Sequence, residues 1–561
     1  MRKPLVNKGG LPLLLIFSVI FLVVLAQRSS VGTYRDDSSY IASSLGIASG
    51  EGYARLYNVY GGFDSKYPPG YPLLLVPAQF VSPHNTALMR ATTAACGLLL
   101  LVLLWRRFGE KGPLIALLLA LNFDWMQYHV EIMSEIPFAL LLTTVLVVLE
   151  KRFQGQEVGC FDRVVLALLL ALSFYVRSAG LFLFPAAFLH LWRRGYGIKT
   201  VGLIGLYLGG FIAPLIWVSR LAGYRDALPE SSQLFEIALE NTKIYLLYVP
   251  GMLTGNPALF EQLRLAGGYQ QLLAWLLIGV IFLLWTAGLY RLLKAGRLAI
   301  PCILVIFWMV LMVWPFQSSR FFTPVLPLLF LCLFEGLEQL FPETRRNAVV
   351  TGAAILLIAT QMVVSFQQVS TPGWHPPQAY QWLKEHSKDG GAVGTADPTV
   401  WLVTGNKTLV APIHVALNVT DEWLDQLYLV GAEWVVCPDP EERSLIARLS
   451  YLPQHFQLVH VDPDGRTQIF RLVGDGKKFR ESFGWVRQGK EFLRAGNREA
   501  AAVAFDKALS IEPWLDTALL LRARLYLEQN QPQEGIRTLE TLLRYNPAQQ
   551  DAAQWLSQLK R

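Results

Sequence analysis

Two adjacent carboxylates, Asp36 and Asp37, stand in YRDDSSYIA just beyond the end of an apolar run, and the same polar stretch goes on to KYPPGYP, where Lys66 and Tyr67 precede Pro68 and Pro69. A carboxylate placed there can take a proton from a hydroxyl, help hold a divalent cation, or cap a helix starting at Ser38 or Ser39. Lys66 follows Asp64 and precedes a stiff Tyr-Pro-Pro turn that would fix its ammonium beside the interface, where it could meet a phosphate. Three more groups have the right types for chemistry: His129, Glu131 and Glu135 in YHVEIMSEIPF, Arg177 in VRSAG, and Arg320 in QSSRFFTP. A guanidinium binds phosphate or carboxylate through two parallel hydrogen bonds, which makes Arg177 and Arg320 candidate anion clamps. Glu131 and Glu135 sit at i and i+4 and would share a helix face if that helix begins early.

The rest of the chain explains why these groups stand out. Of 561 residues, 53% are hydrophobic and 16% charged, and the mean hydropathy is +0.36, which is the composition of a membrane protein. Apolar runs at roughly 11–27, 86–105, 112–128, 134–150, 164–177, 180–192, 200–220, 271–290, 298–315, 321–340 and 347–368 predict about eleven transmembrane helices, the first an uncleaved one. Basic residues test the orientation. With a cytoplasmic N-terminus, alternate connections carry Arg2, Lys3 and Lys8; Arg106, Arg107 and Lys111; Lys151, Arg152 and Arg163; Arg193, Arg194 and Lys199; Arg291, Lys294 and Arg297; and Arg345 with Arg346. That alternation follows the positive-inside rule and accounts for the net charge of +7 without a nucleic-acid partner. The acids and the two candidate clamps then gather at the outer face. Arg320 stands at the outer end of an apolar span, where positive charge is disfavoured, so an anionic partner is expected. Short amphipathic pieces at 36–49 and 70–82 are expected to lie in the interface. None of the five cysteines suggests a pairing.

The chain after the last span divides in two. Residues 391–475 alternate short apolar runs (AVGTA, TVWLVTG, AEWVVC, FQLVHV, TQIFRLV) with helical stretches at 421–429 and 441–452, the pattern of a small α/β domain. From about 483 the pattern is helical, and DKALSIEP aligns with ETLLRYNP so that Leu509 falls over Leu543 and Pro513 over Pro547. With Ala501 and Phe505 in an AxxxF element, this segment resembles tetratricopeptide repeats, a helical cap or a docking surface for a protein partner. The expected domains are 1–370 in the membrane, 371–477 as the outer α/β domain, and 478–561 as the repeat-like helices.

Taken together, DDSSY at Asp36, Asp37 and Tyr40, the lysine-proline element at Lys66, SEIPF at Ser134 and Glu135, RSAGL at Arg177 and RFFTPVLP at Arg320 resemble the GT-C class of polytopic glycosyltransferases. That class includes bacterial aminoarabinose transferases acting on lipid A, protein O-mannosyltransferases and related family-39-like enzymes. The resemblance covers about residues 10–370 and implies transfer of a sugar from a polyprenyl-phosphate carrier to an extracytoplasmic lipid, glycan or protein acceptor. On it, Asp36 is the general base, Asp37 and Glu135 complete the catalytic acids, and Lys66, Tyr67, Arg177 and Arg320 hold the donor. A divalent metal ion is the candidate cofactor, with Asp37, Asp64, His129 and Glu131 as candidate ligands. The element departs from the aminoarabinose-transferase pattern, since Ser65 precedes the lysine and Tyr67 separates it from the prolines. Residue chemistry agrees with the implied reaction: lipid carriers present activated sugar outside the cytoplasm, and such a site needs an apolar groove, cations and a carboxylate.

Two other classes compete. A transporter or lipid flippase also carries charges near helix ends, but midplane acids are scarce and no duplicated half is visible. A non-catalytic envelope scaffold would use the repeats alone. A multi-pass protein of a bacterial inner membrane, with its C-terminal domains outside, fits the outer placement of the site best.

Overall fold

The computed structural model describes residues 10–28, 31–32, 35–62, 67–153, 158–219, 234–314, 316–370, 375–388, 390–395, 397–409, 421–438 and 443–560. They form two compact units, one from Met1–Ala54 and Phe63–His375 and the other from Arg55–Gly62 and Pro376–Arg561.

The first unit is helical. Among the described residues, five helices are long and apolar enough to cross a membrane: Leu11–Arg28, Thr86–Arg107, Gly268–Lys294, Ser319–Leu340 and Glu343–Ser370. The sharply bent pair Phe123–Val130 and Glu135–Arg152 makes a sixth if it counts as one span. The expectation of about eleven spans is therefore too high. The 112–128 run breaks at Asn122, whose side chain accepts the Trp125 N–H at 3.0 Å and starts a new helix. The 180–192 run becomes a 3-10 turn followed by the 11-residue helix Leu183–Arg193, and the 298–315 run becomes the 15-residue helix Ala299–Val313. At ~1.5 Å per residue such helices reach about 16–23 Å, short of a ~30 Å hydrocarbon core. An apolar run marks a segment hidden from water, which a crowded bundle can do without spanning.

The most apolar window of Ser319–Leu340 is 89% buried, against 22–33% in the other four spans, so this helix is the centre of the unit. Reciprocal glycines seat it on Gly268–Lys294: a Cβ on Gly288 would fall 2.0 Å from the Cys332 carbonyl oxygen, and one on Gly336 would fall 1.9 Å from that of Leu284. Small residues allow two apolar helices to meet backbone to backbone, where packing and lipid displacement supply the attraction. The Trp285 indole donates to the Leu329 carbonyl at 3.0 Å and fixes the register.

The pieces expected in the interface form the helices Asp36–Ala48 and Gly70–Val81. The first packs closely within the protein: its buried residues include Ser38, Ser39, Ser43 and Ser44. These hydroxyls find partners inside the protein, as when Ser44 donates to Ile41 at 2.8 Å and accepts from Gln79 at 2.8 Å.

The second unit combines a sheet with a helical array. Strands β1 (Ala392–Gly394), β2 (Lys407–Leu409), β3 (Trp434–Cys437), β4 (Phe456–Val461) and β5 (Gln468–Leu472) lie in the order β2-β1-β3-β5-β4. The first three are parallel, and β5 runs antiparallel to both β3 and β4. TVWLVTG, which reads as a strand, is the helix Thr399–Thr404. Asp397 accepts the Thr399 N–H at 2.8 Å to open it, and Gly405, at φ 77°, closes it in the left-handed region. Local capping overrides the β-branched composition. The outer edge of β2 takes up residues from the first polar loop: Thr408 donates its N–H to the Tyr57 carbonyl at 2.6 Å and accepts that of Val59 at 3.1 Å.

Helices Gly476–Arg494, Arg498–Ile511, Asp516–Glu528, Pro532–Tyr545 and Gln550–Leu559 follow. Ala501, Phe505 and Ala508 are fully buried, and Gly489 lets the Phe505 ring lie against the preceding helix.

Candidate active site

The first unit brings four of the predicted charges together from distant parts of the chain. Arg320 donates from Nη2 to Asp36 Oδ2 at 2.7 Å, and its Nε lies 3.8 Å from Glu135 Oε1. Arg177 Nη1 lies 3.0 Å from the same glutamate oxygen and donates to Ser134 Oγ at 2.8 Å. Glu135 is completely buried, and the side chains of Asp36, Arg177 and Arg320 are 17%, 15% and 15% exposed. Two carboxylates and two guanidiniums thus form a largely buried quartet whose four formal charges balance. Burial on this scale is tolerable only because each charge has an opposite neighbour.

Backbone geometry explains how each member is placed. Arg35 adopts φ 58°, a left-handed conformation unusual for a residue with a side chain, and turns the chain so that Asp36 begins its helix. Asp37 does local work at the helix start by accepting the N–H groups of Gly32 at 2.6 Å and Ser38 at 2.8 Å. Arg177 ends the helix Cys160–Val176 in an extended conformation, before the 3-10 turn Ser178–Phe182. A Cβ on Gly180 would fall 2.3 Å from the Ser173 backbone, so only glycine lets the turn fold back and aim Arg177 inward. Gly70 likewise would meet the Tyr175 carbonyl at 2.6 Å, which seats the proline element beside Arg177. Arg320 enters from the start of the buried central helix.

Tyrosines line the acids. The Tyr67 hydroxyl donates to Asp36 Oδ1, so this residue contacts the carboxylate expected to be the base, beyond any part in donor binding. Tyr40 packs 4.9 Å from the rings of both Tyr67 and Tyr71, and its hydroxyl meets Ser134 Oγ at 3.2 Å. Burial, and then the Asp36 charge, push the Tyr40 phenol far above its ordinary range, so it is a neutral hydrogen-bonding group. Phe321, which residue type alone did not single out, lies with its ring centroid 5.6 Å from the Arg177 guanidinium and 5.3 Å from that of Arg320. Its adjacency to Arg320 in RFF was the available signal.

Lys66 and Asp64 fall outside the described residues. Glu131 is extended and precedes the helix that starts at Glu135, so the two acids do not share a helix face. Glu131 is buried and accepts from Gln127 at 3.0 Å. His129 turns Nδ1 to the Trp125 carbonyl at 3.0 Å and packs its ring against Gly97. Among the described residues no group of three or more His, Cys, Asp or Glu could hold a metal ion, and Asp64 of the expected ligand set lies outside them.

Comparison with known proteins agrees with this architecture. Residues 492–559 match the tetratricopeptide repeat family model. ArnT from Cupriavidus metallidurans in the apo state superposes at a TM-score of 0.51 with 12% identity, covering 82% of this chain and 98% of that one. The same protein bound to undecaprenyl phosphate gives 0.51 and 12%, covering 83% and 98%. The archaeal oligosaccharyltransferase AglB from Archaeoglobus fulgidus, in complex with an inhibitory peptide and a dolichol-phosphate, covers 93% of this chain and 86% of its own at 13% identity and a TM-score of 0.48. No curated protein matches by sequence. The chain is a polytopic α-helical protein whose fold is similar to that of ArnT, with tetratricopeptide-like helices at its C-terminal end.

Proposed function

We propose that this protein transfers a sugar from a polyprenyl-phosphate carrier to an acceptor at the outer face of a bacterial inner membrane. The observation that carries the reading is the convergence of Asp36, Glu135, Arg177 and Arg320 into one largely buried quartet. The fold shared with ArnT, solved with undecaprenyl phosphate, supports a lipid-phosphate donor. In the reaction, the acceptor hydroxyl attacks the anomeric carbon as its proton passes to Asp36. The bond from that carbon to the phosphate oxygen breaks, its electron pair stays with the polyprenyl phosphate, and Arg177 and Arg320 hold the anion so formed. Glu135 keeps both guanidiniums in the site. The repeat-like helices supply a surface for a protein acceptor or partner.

Lipid analysis of a deletion strain tests the proposal. Accumulation of a polyprenyl-phosphate sugar together with loss of one glycan or glycolipid is expected. An unchanged lipid-linked sugar pool would count against it.

A further inference from the structure

Both oxygens of the Asp36 carboxylate are engaged, Oδ1 by the Tyr67 hydroxyl and Oδ2 by the Arg320 guanidinium at 2.7 Å. An oxygen held by a guanidinium at that distance is a poor acceptor for a further, neutral hydroxyl, because its charge is already met. With the side chain 17% exposed, little of the carboxylate remains open to approach. In this arrangement the base is covered. Arg320, however, has other contacts in reach, among them the Glu135 carboxylate at 3.8 Å and the Phe321 ring at 5.3 Å. It could leave Asp36 without leaving the site.

We propose that the donor's phosphate draws Arg320 off Asp36 and so uncovers the base, which makes the donor bind before the acceptor can react. The inference rests on the glycosyl-transfer reading and deepens it. The four formal charges of the quartet balance one another, so an arriving phosphate competes with the carboxylates for the two cations. Several phosphate oxygens can engage Arg177 and Arg320 together, whereas Asp36 offers Arg320 one. Once released, Asp36 keeps its bond from Tyr67, which makes Tyr67 a positioning residue that holds the carboxylate while Oδ2 faces the acceptor. Acceptor hydroxyls, water included, then meet an open base only when a sugar is present to receive them.

Infrared difference spectroscopy on the full chain in nanodiscs tests this, with undecaprenyl phosphate as the probe and a thermal shift as the record of binding. The expected result is a change in the carboxylate stretching region on binding that is absent from Asp36→Asn, which assigns the band. In Arg320→Gln, or in Arg320→Lys if the first does not fold, the Asp36 band should already be shifted without ligand. Binding with no Asp36-dependent band overturns the inference and leaves the glycosyl-transfer reading standing. Absence of binding overturns both. A response to inorganic phosphate as large as that to the lipid overturns the assignment of the trigger to a lipid donor.

Discussion

Arg177 Nη1 lies 3.0 Å from Oε1 of Glu135, a side chain with no exposure at all. The pair joins the end of one helix to the start of another, and removing one partner leaves a buried charge with weaker company.

Substituting Arg177 by Met should therefore cost about 3 kcal/mol, seen as a lower thermal midpoint in detergent. The double variant Arg177→Met, Glu135→Gln should recover a large part of that loss, since no buried charge is then stranded. Additive losses in the two single variants and the double would show that the pair is not coupled.

The helix contact at Gly288 and Gly336 gives a second test. Alanine at either position places a methyl about where the partner's carbonyl oxygen stands, so the helices must separate at a cost of about 1–3 kcal/mol. Gly279, on the same helix with open space around it, should accept alanine without loss. Thermal midpoints of the three variants decide the matter, and equal values would remove the close contact from the account.

The repeat-like helices carry a pH-dependent element. Asp516 is buried, bonded to Arg448 at 2.7 Å and to Asn546 at 2.6 Å, and Asp421 shares that same arginine's field. Burial, and then the Asp421 charge, push the Asp516 carboxyl up to about 7 against the opposing pull of Arg448. An unfolded aspartate titrates near ~3.9, so between that value and about 7 the folded state binds more protons and its stability falls as pH rises. Hydrogen exchange across helix Asp516–Glu528, corrected for intrinsic rates, should quicken over that window in the wild type. It should lose that slope in Asp516→Asn. An unchanged slope in the variant would assign the effect to another group.

Much of the site was legible because its chemistry is unusual for its place. Acids and arginines at the ends of apolar runs need partners, and the structure pairs Asp36 with Arg320 and Glu135 with Arg177. What could not be read was the pairing itself, since it joins positions 284 residues apart in one case and depends on the fold. The span count failed for a related reason: Asn122 breaks an apolar run by a local hydrogen bond that composition does not weigh. The attachment of Tyr57 and Val59 to β2 is a long-range backbone contact with no side-chain signature. Phe321 was overlooked because an aromatic beside an apolar helix is ordinarily core, and only its position between two guanidiniums distinguishes it.

The account stands most directly on turnover by Asp36→Asn. Purified wild type and variant would be given lipid extract from the deletion strain, with acceptor-bearing membranes, and the release of polyprenyl phosphate followed. Asparagine keeps the size of the side chain and loses its proton-accepting oxygen, so release should fall by roughly 100-fold or more while binding of undecaprenyl phosphate persists. Near-normal release by a folded Asp36→Asn protein would contradict the assignment of Asp36 as the base, and no release by the wild type would contradict the reaction itself.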